Sequence, residues 1–110
     1  MILITGHVIL TPEHGERMIE FGAEHSARSR GEPGCLAHHC HIDAVPRQAG
    51  DGSAYECLTF VEEWESVDAV RAHFALPAAR AFVADMRALS PQPPAIRIYA
   101  AEDITAKLMG

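Results

Sequence analysis

Seven histidines in a chain of 110 residues are its best candidates for proton transfer or metal binding. Imidazole changes charge near neutral pH, and burial pushes it toward the neutral, proton-accepting form by desolvation. His73 and His25 are the two candidates for a catalytic base. His25 continues a stripe of Met18, Phe21 and Gly22 at helical spacing, and His73 stands seven residues after Ser66, a residue suited to capping a helix. The plain alternative for each is a structural histidine tied to a backbone carbonyl. Trp64 offers a flat wall for a planar substrate, or simply fills the core as its largest side chain. Glu62 is costly if buried unpaired, so it is expected to pair, cap or face a pocket mouth.

The run His38-His39-Cys40-His41 raises the question of a metal. On a strand, His39 and His41 point to one face and His38 and Cys40 to the other, so the run alone converges no set of three or four ligands. His7 and Cys57 could join His39 and His41 on their face, but packing is the better reading there. No metal and no cofactor are expected. The three cysteines, Cys35, Cys40 and Cys57, are odd in number and lack Cys-x-x-Cys spacing. They read as reduced, small core hydrophobes in a reducing, cytoplasmic compartment.

The elements that must carry these groups follow from periodicity and breakers. Met1 to Leu10 alternates as a strand, and Thr11-Pro12-Glu13 opens a helix expected to reach about Arg30 before Glu32-Pro33-Gly34 stops it. Cys35 to Asp43 and Tyr55 to Trp64 read as strands joined by a polar hairpin loop, Ala44 to Ser53. Ser66 caps a short helix from Val67 to about Phe74. Pro77 opens a helix to Leu89 with Ala79, Phe82, Val83, Met86 and Leu89 on its stripe. Ala95 to Ala101 is a last strand. The order β-α-β-β-α-α-β predicts one α+β domain, residues 1–110 with a core of about 1–101 and a short tail of 102–110. Its sheet is ferredoxin-like, four-stranded and antiparallel, with helices on one face.

The even-numbered strand face, with Gly6, Val8, Leu36, His38, Leu58, Phe60, Glu62 and Trp64, is expected to meet Phe21, His25 and His73 from the helices. That is an apolar cavity with a few polar groups, the usual composition of a small-molecule site. The opposite face carries Ile9, Thr59 and Val61 and has no cover within so short a chain. With 48% hydrophobic residues, a second copy is the simplest cover, hence a homodimer. The net charge of −6 and the absence of a basic run argue against nucleic acid and anionic membrane surfaces. No apolar run approaches the ~20 residues of a membrane span. The first ten residues lack the basic flank and cleavage site of a signal peptide, and no Gly-x-Gly-x-x-Gly, P-loop or flavin fingerprint occurs.

Glu32-Pro33-Gly34-Cys35 after an amphipathic helix, and Glu62-Glu63-Trp64-Glu65-Ser66 followed by Ala72-His73-Phe74, resemble the two signatures of the antibiotic biosynthesis monooxygenase family. The resemblance runs from Met1 to about Ala101. It implies a dimeric α+β barrel, with two sheets packed face to face and a pocket in each protomer between sheet and helices. Members include cofactor-independent oxygenases of phenols, heme-degrading enzymes and isomerases of small metabolites. Gly6, His73 and Val83 stand where the heme-degrading branch has its asparagine, tryptophan and ligand histidine, which argues against heme. Phe60 stands where the phenol-oxidising branch has an asparagine, and Ala78 where many members have a second histidine. The expectation is a cofactor-free monooxygenase of an aromatic phenol or enol. His73 or His25 would be its base, and Trp64, Phe60, Leu58, Glu62, His38 and Phe21 would line the substrate. A proton-shuttling isomerase and a non-catalytic small-molecule binder are the alternatives.

Overall fold

Strict alternation of buried and half-buried residues along β1 (Ile2–Leu10) marks a strand with one face in the core. The computed structural model, which describes residues 1–110, pairs it antiparallel with β4 (Ala54–Trp64) and β5 (Ala95–Ala100). β2 (Cys35–Ile42) pairs with the far side of β4, and the sheet order is β2-β4-β1-β5. A two-residue strand, β3 (Arg47–Gln48), lies against β4 inside the segment expected to be only loop. The α+β class and the four long antiparallel strands agree with the sequence expectation.

Helix α1 (Gly15–Ser29) starts three residues later than the Thr-Pro-Glu signal suggests. The Thr11 hydroxyl accepts from the His14 N–H at 3.1 Å, which holds residues 11–14 as a turn before the helix proper. α2 (Val67–Ala75) has the expected cap, with Ser66 Oγ accepting from the Ala69 N–H at 3.1 Å. α3 (Pro77–Leu89) begins at its proline, and a short α4 (Thr105–Met109) occupies the tail. No helix is long and apolar enough to cross a membrane.

The inner sheet face and the helices enclose two buried apolar groups. Val8, Leu10, Met18, Leu58, Phe60 and Met86 form one. Ile2, Ile4, Trp64 and Val70 form the other, at the opposite end of β1. Leu36 departs from the alternation expected of it. Cys35 pairs with Trp64 and Ala37 with Glu63, so Leu36 is the extra residue of a β-bulge and is 53% exposed. The bulge shifts the parity of β2. Cys35 therefore packs inward beside Trp64, while His38 keeps its place on the inner face.

The outer face is partly covered by the chain's own β2–β4 connection. Asp43 accepts from Thr59 Oγ1 at 2.5 Å and from Arg47 Nε at 2.9 Å, and Arg47 Nη2 reaches His7 Nδ1 at 3.2 Å. Cys57 and Thr59 are buried under this cover.

Candidate functional site

Three imidazoles from three elements meet beneath the helices. α1 contributes His25, β2 contributes His38 and α2 contributes His73, and all three are buried. One ring nitrogen of each lies within 4.8 Å of the others. Ring centroids are 5.1 Å apart for His25 and His38, 5.3 Å for His25 and His73, and 5.8 Å for His38 and His73.

Each ring is held from outside the trio. His73 Nδ1 donates to the Glu32 carboxylate oxygen Oε1 at 2.8 Å, which leaves Nε2 as the ring's other nitrogen. His38 Nδ1 bonds Ser26 Oγ at 2.9 Å. Its Nε2 lies 3.3 Å from Glu62 Oε1 but off the hydrogen-bonding axis, so this fully buried nitrogen has no aligned partner. His25 stacks face to face on Phe82, with centroids 4.0 Å apart and planes 4° from parallel. Burial, and then the neighbouring His38 and His73, lower its pKa to about 3.

Glu62 is the carboxylate of this assembly. Burial alone would raise its pKa. His38 beside it, the Trp64 indole N–H donating to Oε1 at 3.0 Å, and His73 outweigh that and hold it below the ordinary glutamate value. It is therefore an ionised group on the inner sheet face. Trp64 is wholly buried, 4.6 Å from the His73 ring and edge-on to His38.

A narrow apolar cleft, partly open to solvent, runs between the sheet and α2 and α3. Phe60, Phe74, Phe82, Met86 and Ile96 line it, and Glu62 supplies its one carboxylate. Of the residues predicted from sequence for the pocket face, Gly6, Val8, Phe60 and Glu62 border this cleft. His25, His38 and His73 converge behind Phe82 and Glu62 and are not part of its lining. Trp64 lies deeper still, packed against His73 with no face to the cleft. Leu58 belongs to the Met18 and Met86 core. Phe21 flanks that core beneath the Arg17 guanidinium, 5.2 Å away, and does not reach the cleft.

Ser26, Glu32, Phe74 and Phe82 were not foreseen as site residues. Ser26 lies next to His25 on the buried side of α1, a signal that extending the stripe by one position would have caught. Glu32 sits in the Glu-Pro-Gly stop, where no periodicity applies. The His38–His41 run splits as expected, with His38 inside and His39 and His41 outside. The partners His38 meets are His25 and His73, helical histidines remote from it in sequence. On the outer face, His7 bonds Thr59 and Arg47 rather than His39 or His41.

The family model described as "Antibiotic biosynthesis monooxygenase" matches residues 1–85. No curated protein matches the sequence. Among solved structures, Rv0793 from Mycobacterium tuberculosis is similar at 19% identity, covering 93% of this chain and 95% of its own, with a TM-score of 0.74. A structure described as an antibiotic biosynthesis monooxygenase is similar at 23% identity over 94% of this chain and 100% of its own, TM-score 0.74. PA3566 from Pseudomonas aeruginosa is similar at 19% identity over 93% and 94%, TM-score 0.72. These likenesses concern the fold. With the family model matching most of its length, this chain belongs to the antibiotic biosynthesis monooxygenase family.

Proposed function

We propose that this protein is a small-molecule monooxygenase that oxidises a flat phenol or enol in the cleft between its sheet and helices. The observation that carries the reading is the ionised Glu62 set into an otherwise apolar aromatic wall, with three buried imidazoles behind it. Glu62 takes a proton from the activated carbon or hydroxyl of the substrate. The resulting carbanion-like anion adds O₂, and the peroxide, once protonated, loses water to leave a carbonyl. One oxygen atom stays in the product and the other leaves as water. The substrate supplies the electrons, so no flavin or other organic cofactor is needed. His38, the Trp64 indole N–H and His73, standing behind Glu62, keep it ionised in this reading. The apolar walls keep water from the anion. The working form is a homodimer through the outer sheet face. The three free cysteines fit a reducing, cytoplasmic setting.

The test is oxygen uptake with anthrone as probe, followed by mass spectrometry of product formed under ¹⁸O₂. One labelled oxygen per product is expected, with turnover falling about 100-fold or more in Glu62→Gln, the usual cost of losing a general base. Proton exchange without oxygen uptake would replace this reading with an isomerase. Binding without turnover of any kind would replace it with a carrier.

A further inference from the structure

We propose that His25, His38 and His73 form a binding site for one divalent first-row transition ion, each ligating through a ring nitrogen. The proposal does not depend on the oxygenase reading. Three observations carry it. Three ring nitrogens from three separate elements gather within 4.8 Å in a buried place. His38 Nε2 is fully buried and has no aligned hydrogen-bond partner, an arrangement that costs energy unless something bonds it. In two of the three rings one nitrogen already has the outer partner usual for metal-binding histidines. His73 Nδ1 is held by Glu32 at 2.8 Å and His38 Nδ1 by Ser26 at 2.9 Å. Such outer partners fix the tautomer and leave Nε2 for the metal.

Charge and ligand type narrow the ion. Three imidazoles suit zinc, copper, iron or nickel, whereas magnesium and calcium require oxygen donors. Buried positive charge needs compensation, and Glu62 and Glu32 stand on two sides of the trio. Bonds of about 2.0–2.1 Å in a tetrahedral site bring ligand nitrogens to about 3.3 Å of each other, so the rings close inward on binding. His25, held by stacking on Phe82, is the ring freest to move. Three protein ligands leave a fourth position open, as in catalytic metal sites. Glu62 Oε1, 3.3 Å from His38 Nε2, is placed to accept a hydrogen bond from water in that position.

The test uses the untagged full-length chain, stripped with chelator and refolded in the presence of Co(II), with visible absorption and elemental analysis after dialysis. One cobalt per chain is expected, displaced by Zn(II). His25→Phe, which retains the stack on Phe82, should abolish the cobalt spectrum, and Ser26→Ala and Glu32→Ala should weaken binding about 10–100-fold. The outer-face double variant His39→Ala/His41→Ala should bind like the parent. Absence of bound cobalt, or loss of binding in the outer-face variant, would overturn the site. So would unchanged affinity in His25→Phe. If His25→Phe fails to fold, unchanged affinity in Ser26→Ala and Glu32→Ala overturns it equally.

Discussion

Burial and the two neighbouring histidines hold His25 neutral with a pKa of about 3, while its ordinary value is 6.5. Between those values the unfolded chain binds a proton that the folded chain refuses. The contribution is therefore fully present above pH 6.5 and is lost as pH falls toward 3, at up to about 1.4 kcal/mol per pH unit. Urea unfolding of the metal-free chain at pH 5 and pH 7 should show lower stability at pH 5, and His25→Phe should shrink the difference. An equal pH dependence in the variant would mean the ring is not the group refusing the proton. Glu62 does not interfere in this window, because its lowered pKa costs stability only as pH falls below its ordinary 4.5. Trp64→Ala removes a fully buried ring and the N–H that holds Glu62, so it should cost about 3–5 kcal/mol in the same assay. His25, His73, Glu62 and Phe60 were legible in the sequence because each interrupts or completes a periodic stripe. Glu32 was not, because its contact with His73 spans 41 residues and arises only when β2 and α2 dock. Nor was the place of Phe82 between the cleft and His25, since a stripe position does not say whether a ring faces core or cleft.

That docking depends on the Glu-Pro-Gly-Cys corner. Gly34 has φ +81°, and a Cβ there would lie 2.6 Å from the Ala69 Cβ of α2. Its carbonyl accepts from the Glu65 N–H at 2.8 Å, closing the corner onto the entry to α2. The two sequence signatures thus meet in space, and their meeting sets Glu32 against His73. Gly34→Ala combines backbone strain with a collision and should cost more than about 1 kcal/mol in thermal or urea unfolding. Unchanged stability would show that α2 yields easily there. Gly22→Ala gives a second test at the α1–β4 contact. Its Cβ would meet Leu58 Cδ2 at 2.9 Å and Phe60 Cζ at 3.2 Å, so repacking should outweigh the helix propensity gained by alanine and leave a net loss. Strand and helix order were readable from period and breakers alone. The bulge at Leu36 was not, because one inserted residue reverses parity without altering local composition. The cover over Cys57 and Thr59 was missed for a related reason: Asp43 and Arg47 look like ordinary polar loop residues until the hairpin folds back.

At the scale of the whole molecule, the chain is a slab of 43 × 35 × 19 Å with more surface than its mass requires. Its accessible area is 7110 Å², against about 6,000 Å² for a compact monomer of 12.0 kDa. Its radius of gyration is 15.1 Å, where about 13 Å is ordinary for this length. The excess resides in incomplete layering: helices cover the inner face over β1 and β4 but leave Ile96 and Ile98 of β5 exposed, and the outer face has only the Asp43–Arg47 cover at one end. Leu3, Ile9 and Val61 lie half-buried on that face, and Tyr99 beside Leu3 is 45% exposed. Val61 is central, flanked by Thr5 on β1 and His39 on β2. Two such faces in contact would each remove roughly 800 Å² from water, the size of a standard interface. Light scattering at micromolar concentration should therefore give twice the 12.0 kDa chain mass. Val61→Glu places a charge in the middle of the proposed contact and should shift the protein toward monomer, with its far-ultraviolet circular dichroism unchanged. Leu108→Glu on α4, at a residue already 75% exposed, should leave the dimer intact. A well-folded wild-type monomer would defeat the proposal. A dimer indifferent to Val61→Glu would move the interface to the exposed β5 edge, where backbone pairing between copies would replace side-chain packing.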